Sequence, residues 1–318
     1  MKLVVTIDTE EDNWGSLRLT HYSFDNIARI PALQEMFDRF NVKPTYLMTY
    51  PVATDEKAVG ILAEIAAADR CEIGAHCHPW NTPPLAEENT AANSMLCNLS
   101  SASQYAKMKS LKETIEAAVA VDPLSFRSGR FGYDTGVARN LQRLGYKIDT
   151  SISPYMNWTS DHGPDFTRIS PRPFRFSSDD ALEECATGEL IEVPPTIGFL
   201  QRDFARRNYI FNAVTRGPIS RLRLAWLLGQ ARLLNKAWLS PEVSDSRTMI
   251  ELAQSMRRHG YGLLNLTFHS PSLKAGLTPF TTTKSDEKLF CQHLREFLVF
   301  AQDTGIEVIK LSDVQKLF

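Results

Sequence analysis

The chain has 318 residues, 43% of them hydrophobic, with 35 basic and 37 acidic side chains and a net charge of −2. That is enough apolar material for one large α/β domain or two small ones, and the near-neutral balance gives no global field for nucleic acid. No run of about 20 apolar residues is present to span a membrane, and the apolar stretch after Lys2 is too short for a signal-peptide core. A cytoplasmic protein is therefore expected.

Residues 3–7, Leu-Val-Val-Thr-Ile, form an apolar, β-branched run that predicts a buried strand. It ends in Asp8, Glu10, Glu11 and Asp12, with alternation putting Asp8 and Glu10 on one face and Thr9 on the other. Carboxylates gathered at a buried strand end repel one another unless a cation or a proton separates them. Two readings follow, a solvated loop or a metal-assisted hydrolytic site that needs histidines elsewhere.

Apolar residues from Phe24 to Phe40 recur at helical spacing, with Pro31 marking a start or a kink. A short strand over 45–48, a helix over 55–68 and a strand over 71–76 follow. The pattern then predicts a helix over 103–120, a strand over 125–127, a helix over 134–144 closed by Gly145, and a strand over 147–149. Later strands are expected over 190–193 and 263–268, and a helix over 284–303 and a strand over 306–309 close the chain. Strands alternating with helices mean parallel α/β architecture, and seven or eight such units favour a barrel over an open sheet. The expectation is one barrel over 1–318 with loop insertions at about 152–187 and 199–240. In such a barrel the polar residues at C-terminal strand ends are the catalytic candidates: Asp8, Glu10, His76, His78, Arg127, Arg130, Asp149 and His269.

The run His76-Cys77-His78-Pro79-Trp80 continues the third strand. Extended chain places His76 and His78 on one side and Cys77 on the other, so Cys77 reads as a small buried residue. Two imidazoles with a carboxylate from a neighbouring strand form an open site of the hydrolytic zinc type, with a position left for water. The five cysteines (Cys71, Cys77, Cys97, Cys185, Cys291) are odd in number and lack C-x-x-C spacing, which points to reduced thiols.

These segments, in this order, resemble the polysaccharide deacetylases with a NodB-homology domain, carbohydrate esterase family 4. Thr6-Ile7-Asp8-Thr9-Glu10 is similar to the family's first motif, Thr45-Tyr46 to its second strand, and Glu72-Ile73-Gly74-Ala75-His76 to its histidine motif. Phe126-Arg127-Ser128-Gly129-Arg130-Phe131-Gly132 is similar to the third motif, Asp149-Thr150-Ser151 occupies the place of the fourth, and Leu266-Thr267-Phe268-His269 that of the last. The resemblance implies a deformed (β/α)7-8 barrel that removes an N-acetyl group from an amino sugar with a divalent metal, Zn2+ ahead of Co2+ or Ni2+. It gives Glu10, His76 and His78 as ligands, Asp8 as the base, Arg127 as its orienting partner, His269 as the acid and Asp149 as the group that orients His269. Arg130 and Tyr133 are candidates for sugar contact or for solvating their loop; Trp80 and Trp14 are candidates for a pyranose platform or for packing under the loops.

Three departures stand out. The family spaces its histidines H-x-x-x-H, but position 80 is Trp; its adjacent Asp-Asp is here Asp8-x-Glu10, leaving Asp8 and Asp12 as alternative metal carboxylates; and its proline pair after the arginine is Ser128-Gly129. The D-x-E and H-x-H-P-W patterns resemble branches of the family that stand beside surface-glycan biosynthesis. Hydrolysis of a small cyclic amide or imide on the same site, or a non-catalytic carbohydrate-binding barrel, are the other readings.

Residues 202–236 carry eight cationic side chains against Asp203 alone, a net +7, and 218–228 reads as a basic helix rich in Leu with one Trp. It is either a helix packed on the barrel with arginines in solvent, or an element for phosphate recognition or peripheral docking on an anionic membrane. A phosphate-linked sugar intermediate, nucleotide or lipid, fits the second reading.

Overall fold

The computed structural model describes residues 1–12, 14–17, 21–215 and 224–318, with residue 225 described by its backbone alone. Arg216, Arg221 and Arg223 of the basic segment, and the first half of its expected helix, lie outside the described residues.

The strands are β1 (Lys2–Thr9), β2 (Thr45–Met48), β3 (Glu72–Cys77), β4 (Ser125–Ser128), β5 (Ile148–Asp149), β6 (Phe174–Phe176), β7 (Leu190–Glu192), β8 (Ile197–Phe199), β9 (Lys236–Trp238), β10 (Leu263–His269) and β11 (Glu307–Val308). The helices are α1 (Ile30–Arg39), α2 (Tyr50–Thr54), α3 (Glu56–Ala67), α4 (Ser101–Val119), α5 (Thr135–Arg143), α6 (Phe204–Thr215), α7 (Leu224–Gln230), α8 (Ser246–Arg258) and α9 (Lys284–Asp303).

The main sheet runs β10-β1-β2-β3-β4-β5-β7-β6, with β11 also paired to β1. Every neighbouring pair is parallel except the β6–β7 hairpin at one end. The sheet curls, and the segment after β7 bridges the gap back to β10. There the Thr196 amide donates to the Asn265 carbonyl (3.0 Å), the Asn265 amide to Thr196 Oγ1 (2.7 Å) and Asn265 Nδ2 to the Val193 carbonyl (3.0 Å). The result is a deformed (β/α) barrel closed at this seam by loop and side-chain bonds instead of a continuous ladder.

Alternation sorts each strand into two environments. Leu3, Val5 and Ile7 of β1, Ile73, Ala75 and Cys77 of β3, and Leu264, Leu266 and Phe268 of β10 pack outward with the helices in one large core. Val4, Ile148, Ile191, Val193 and Leu263 fill the barrel interior, plugged by Leu311 and Val314 from the C-terminal turn. The inward face of β1 is thus Val4, Thr6, Asp8: apolar at the bottom, polar in the middle, ionic at the top. A fully buried parallel strand supports this only if each polar side chain finds a partner.

Helix ends are set by side-chain caps. Asp55, Asp134 and Asp245 accept from the third amide of α3, α5 and α8, and Thr283 and Asp286 form a capping box on α9. The Phe24–Phe40 pattern resolves into a 3-10 turn at Ile27–Arg29 and then α1, with Pro31 in its first turn. The two stretches expected as loops hold structure of their own: 152–187 contains β6, and 199–240 contains α6, α7 and β9, the last paired antiparallel to β8. Among the described residues no helix is long and apolar enough to cross a membrane.

Candidate metal-dependent active site

The inward residues at the strand tops converge on one point. In register, Asp8 of β1 stands opposite His269 of β10, and His76 of β3 opposite Arg127 of β4. His76 Nδ1–H donates to the Arg127 carbonyl (3.1 Å), which fixes its tautomer and leaves the Nε2 lone pair toward the cleft. Nε2 of His78 lies 2.8 Å from Nε2 of His76 and 3.7 Å from Oε2 of Glu10. Burial pulls the His76 imidazole down to about 4 and His78 well below its usual range, so both are neutral, as metal ligands must be. Burial, then the neighbouring Glu11, Asp8 and Glu242, push Glu10 well above the usual carboxylate range against the pull of His269. A carboxylate in that position stays ionised only beside a cation.

The ligand atoms of Glu10, His76 and His78 lie within 4.8 Å of one another, as do those of Asp8, Glu10 and His269, so Glu10 is common to both sets. Two neutral imidazoles and a carboxylate are the donor set of hydrolytic zinc, and the residues fit a divalent cation. The shortened histidine spacing is accommodated by Gly129. A Cβ there would stand 2.4 Å from Cδ2 of His78 and 2.9 Å from the Cys77 carbonyl. The missing Cβ at position 129 gives the His78 ring its room.

Asp8 is held by Arg127, whose Nη1 donates to Oδ1 at 2.5 Å. The guanidinium is almost fully buried and also donates to Thr6 Oγ1 (2.7 Å), to Thr150 Oγ1 (3.0 Å) and, through Nε, to the Thr150 carbonyl (3.1 Å). Asn265 completes this floor, accepting from Thr6 and donating to Thr150. Burial alone would raise the Asp8 carboxyl, but Arg127, then His76 and His269, outweigh it and hold Asp8 below the usual range. Asp8 is therefore held as a carboxylate, with its Oδ2 3.8 Å from His76 Nε2 and 3.5 Å from His269 Nε2.

His269 is oriented by Glu242, not by Asp149. Its Nδ1 lies 3.0 Å from Oε2 and 3.2 Å from Oε1 of Glu242, its backbone amide donates to the same carboxylate (3.1 Å), and Ser272 Oγ donates to it at 2.5 Å. Burial pulls this histidine down, but Glu242, followed by Glu10 and Asp8, holds it up at about 9. Asp149 faces its register partner Glu192 in a buried, hydrogen-bonded carboxyl–carboxylate pair, and accepts from Ser151 Oγ (2.6 Å). Burial raises both groups, and like charges that close keep a proton between them. The strand-end position that suggested Asp149 is real, but the next strand's glutamate takes its side chain.

The remaining acids of the first cluster are structural. Glu11 accepts from Asn81 Nδ2 (2.8 Å) and Thr49 Oγ1 (3.1 Å); Asp12 accepts from Asn26 Nδ2 (2.7 Å) and from the amides of Asp25 (2.7 Å) and Asn26 (3.0 Å). Asp12, one alternative for the metal carboxylate, is thus occupied away from the ligand cluster.

The cleft above the site encloses about 450 Å³ and is walled by Trp14, Trp80, Phe131, Trp158, Trp238 and Phe280. Trp80 stacks on His78 (4.2 Å, 20°) and Trp14 meets His269 edge-on (4.5 Å). Phe131 stacks on Trp158 (5.7 Å, 15°) and lies 5.8 Å from Trp238. Arg130 and Phe131 both take left-handed backbone (φ 53° and 58°), an unusual pair that delivers both side chains into the cleft. Arg130 donates to Ser94 Oγ (2.5 Å) and lies 3.7 Å from Asp161. Tyr133 does not line the cleft; it is buried beside Asp149. Glu242, Trp238, Trp158 and Phe280 were missed in the sequence because they sit on loops and on the β8–β9 ribbon, outside the strand–helix repeat.

The turn after His78 is held from below by Lys107 of α4. This buried ammonium donates to the carbonyls of Pro79 (2.9 Å), Thr82 (3.0 Å) and Pro84 (2.6 Å) and pairs with Glu87 (3.0 Å).

No protein-family model matches the chain, and no curated protein matches it by sequence. Solved structures do. A protein of Mycobacterium smegmatis assigned as a polysaccharide deacetylase superposes over 99% of this chain and 90% of its own, with 16% identity and a TM-score of 0.56. One of Parabacteroides distasonis assigned as a glycoside hydrolase/deacetylase covers 96% of this chain and 68% of its own at 11% identity, TM-score 0.61. The 4-alpha-glucanotransferase of Thermococcus litoralis covers all of this chain and 40% of its own at 11% identity, TM-score 0.58. The chain has the deformed β/α barrel of the polysaccharide deacetylase type, a fold that also carries glycosyl transfer, so chemistry must be read from the site.

Proposed function

We propose that this protein is a metal-dependent hydrolase that removes an N-acetyl group from an amino sugar carried on a glycan intermediate. The observation that carries the reading is the separation of two roles around one cleft: an ionised Asp8 locked by Arg127, and a charged His269 locked by Glu242, on either side of the Glu10–His76–His78 cluster. A divalent cation, with Zn2+ suited to the donor set, supplies Lewis-acid polarisation of the acyl carbonyl when bound. Asp8 Oδ2 accepts the proton of the attacking water, and Arg127 keeps that carboxylate charged beforehand. His269 Nε2, protonated at neutral pH, gives its proton to the leaving amine, with Glu242 stabilising the imidazolium and fixing the ring. The aromatic walls exclude water and present flat apolar faces suited to the C–H face of a pyranose, and Arg130 at the rim offers a donor fork.

The test is acetate release from a panel of N-acetylated nucleotide sugars, lipid-linked sugars and oligosaccharides, with cyclic imides included, comparing the wild type with Asp8→Asn. Release from a sugar, abolished by the substitution, supports the reading. Turnover of imides alone overturns the substrate class, and release that persists in Asp8→Asn overturns the role of Asp8.

A further inference from the structure

One surface outside the cleft combines exposed apolar side chains with positive charge. Tyr209, Trp226, Leu227 and Leu233 are 77%, 61%, 51% and 52% exposed, on α6, α7 and the turn that leads to β9. On α6 the inner stripe is Phe204, Asn208 and Phe211, packed against the barrel. Arg206 and Tyr209, three residues apart, share the outward stripe. Arg202, Arg206 and Arg232 are exposed around it, and Arg207 ties α6 to the α7–β9 turn through its bonds to the carbonyls of Arg202 (3.3 Å) and Leu233 (3.1 Å).

We propose that the α6–α7 face is a docking surface for an anionic lipid bilayer. Bulky apolar side chains held outward among arginines match the headgroup–acyl boundary, where Trp and Leu bury and guanidinium groups meet lipid phosphates. Charge complementarity selects this occupant over a second copy of the chain, because an isologous contact would set this face, whose described residues carry five cationic side chains against Asp203, against itself. Nucleic acid would use the arginines but leave Leu227 and Leu233 without a role. The face is continuous with the cleft: β9 begins at Lys236 beside α6, over the Phe211 ring (4.9 Å), and ends at Trp238 in the cleft wall. On the hydrolase reading above, docking would bring the cleft to lipid-anchored glycans; the docking itself stands without that reading.

The experiment is co-sedimentation of the full chain with vesicles of phosphatidylcholine alone or containing phosphatidylglycerol. Binding is expected to the anionic vesicles, to weaken as salt is raised, and to weaken about fivefold for each of Arg202 and Arg206 changed to Ser. Trp226→Ser with Leu227→Ser should weaken it at fixed charge, and Asp8→Asn should bind like the wild type, which separates docking from hydrolysis. Equal binding to both vesicle types, or none, overturns the proposal in the wild type without any variant. Competition by soluble glycerol phosphate to the same extent as by vesicles overturns it in favour of a free-phosphate site, and a dimer lost on Trp226→Ser with no vesicle binding overturns it in favour of self-association.

Discussion

Glu242 and His269 are joined twice over, the carboxylate taking both the imidazole Nδ1–H and the backbone amide of the same histidine, and the Ser272 hydroxyl pins that carboxylate from a third side. Such a clamp fixes ring position and charge together.

Glu242→Gln keeps the shape and removes the charge. Turnover should fall about 10–100-fold with little change in KM, as for loss of an outer hydrogen-bond partner. The pH profile carries the sign: with Glu242 the His269 proton is held up to about 9, so an acid-dependent rate falls only above that pH. Without the glutamate that limb moves to lower pH. Steady-state kinetics across pH 6–10 reads both effects, and an unmoved limb would remove Glu242 from the mechanism.

Chelation should abolish hydrolysis, and Zn2+ should restore it. The bound ion should also raise the unfolding temperature, since a ligand at about 100 times its Kd adds about 2.7 kcal/mol to the native state. Glu10→Gln, which touches both candidate ligand sets, should lose stoichiometric metal by mass spectrometry, whereas Asp8→Asn should lose turnover ahead of metal.

Arg127→Met should cost about 3–5 kcal/mol in denaturant unfolding, because it strands a buried Asp8 and unpairs Thr6 and Thr150. Asp8→Asn should cost much less, since the amide still accepts from Arg127. Equal losses in the two variants would contradict an ionised, arginine-held Asp8.

Lys107→Met should leave the carbonyls of Pro79, Thr82 and Pro84 without their buried donor, at about 1–3 kcal/mol for each left unsatisfied. Limited proteolysis should then cut within residues 79–87, and metal affinity should drop because His78 enters that turn.

What could be read beforehand follows from where period-two alternation governs. Asp8, Glu10, His76, His78, Arg127 and His269 all continue buried parallel strands, so their direction and company follow from spacing, and the structure brings them together. Asp149 satisfied the same rule and misled, because strand-end position does not say which neighbour captures a carboxylate; Glu192, in register on the next strand, does. Glu242 follows Pro241 in a loop after a two-stranded ribbon, where no periodicity indicates which way a side chain points. Tyr133 stood beside a motif but turned into the core, where its ring is buried beside Asp149.

Gly129→Ala is a single-methyl probe. The added carbon would meet the His78 ring at 2.4 Å and backbone at 2.9 Å. Overpacking of this kind costs about 1–3 kcal/mol. The expected result is a folded protein with reduced metal content.

That one missing methyl also couples two positions. Positions 78 and 129 cannot vary independently: glycine at 129 is harmless beneath any side chain at 78, but an imidazole at 78 is harmful above anything larger than glycine. Removing the ring with His78→Ala should relieve most of the crowding that a methyl at 129 introduces, so the double variant His78→Ala, Gly129→Ala should cost less than the sum of the two single changes.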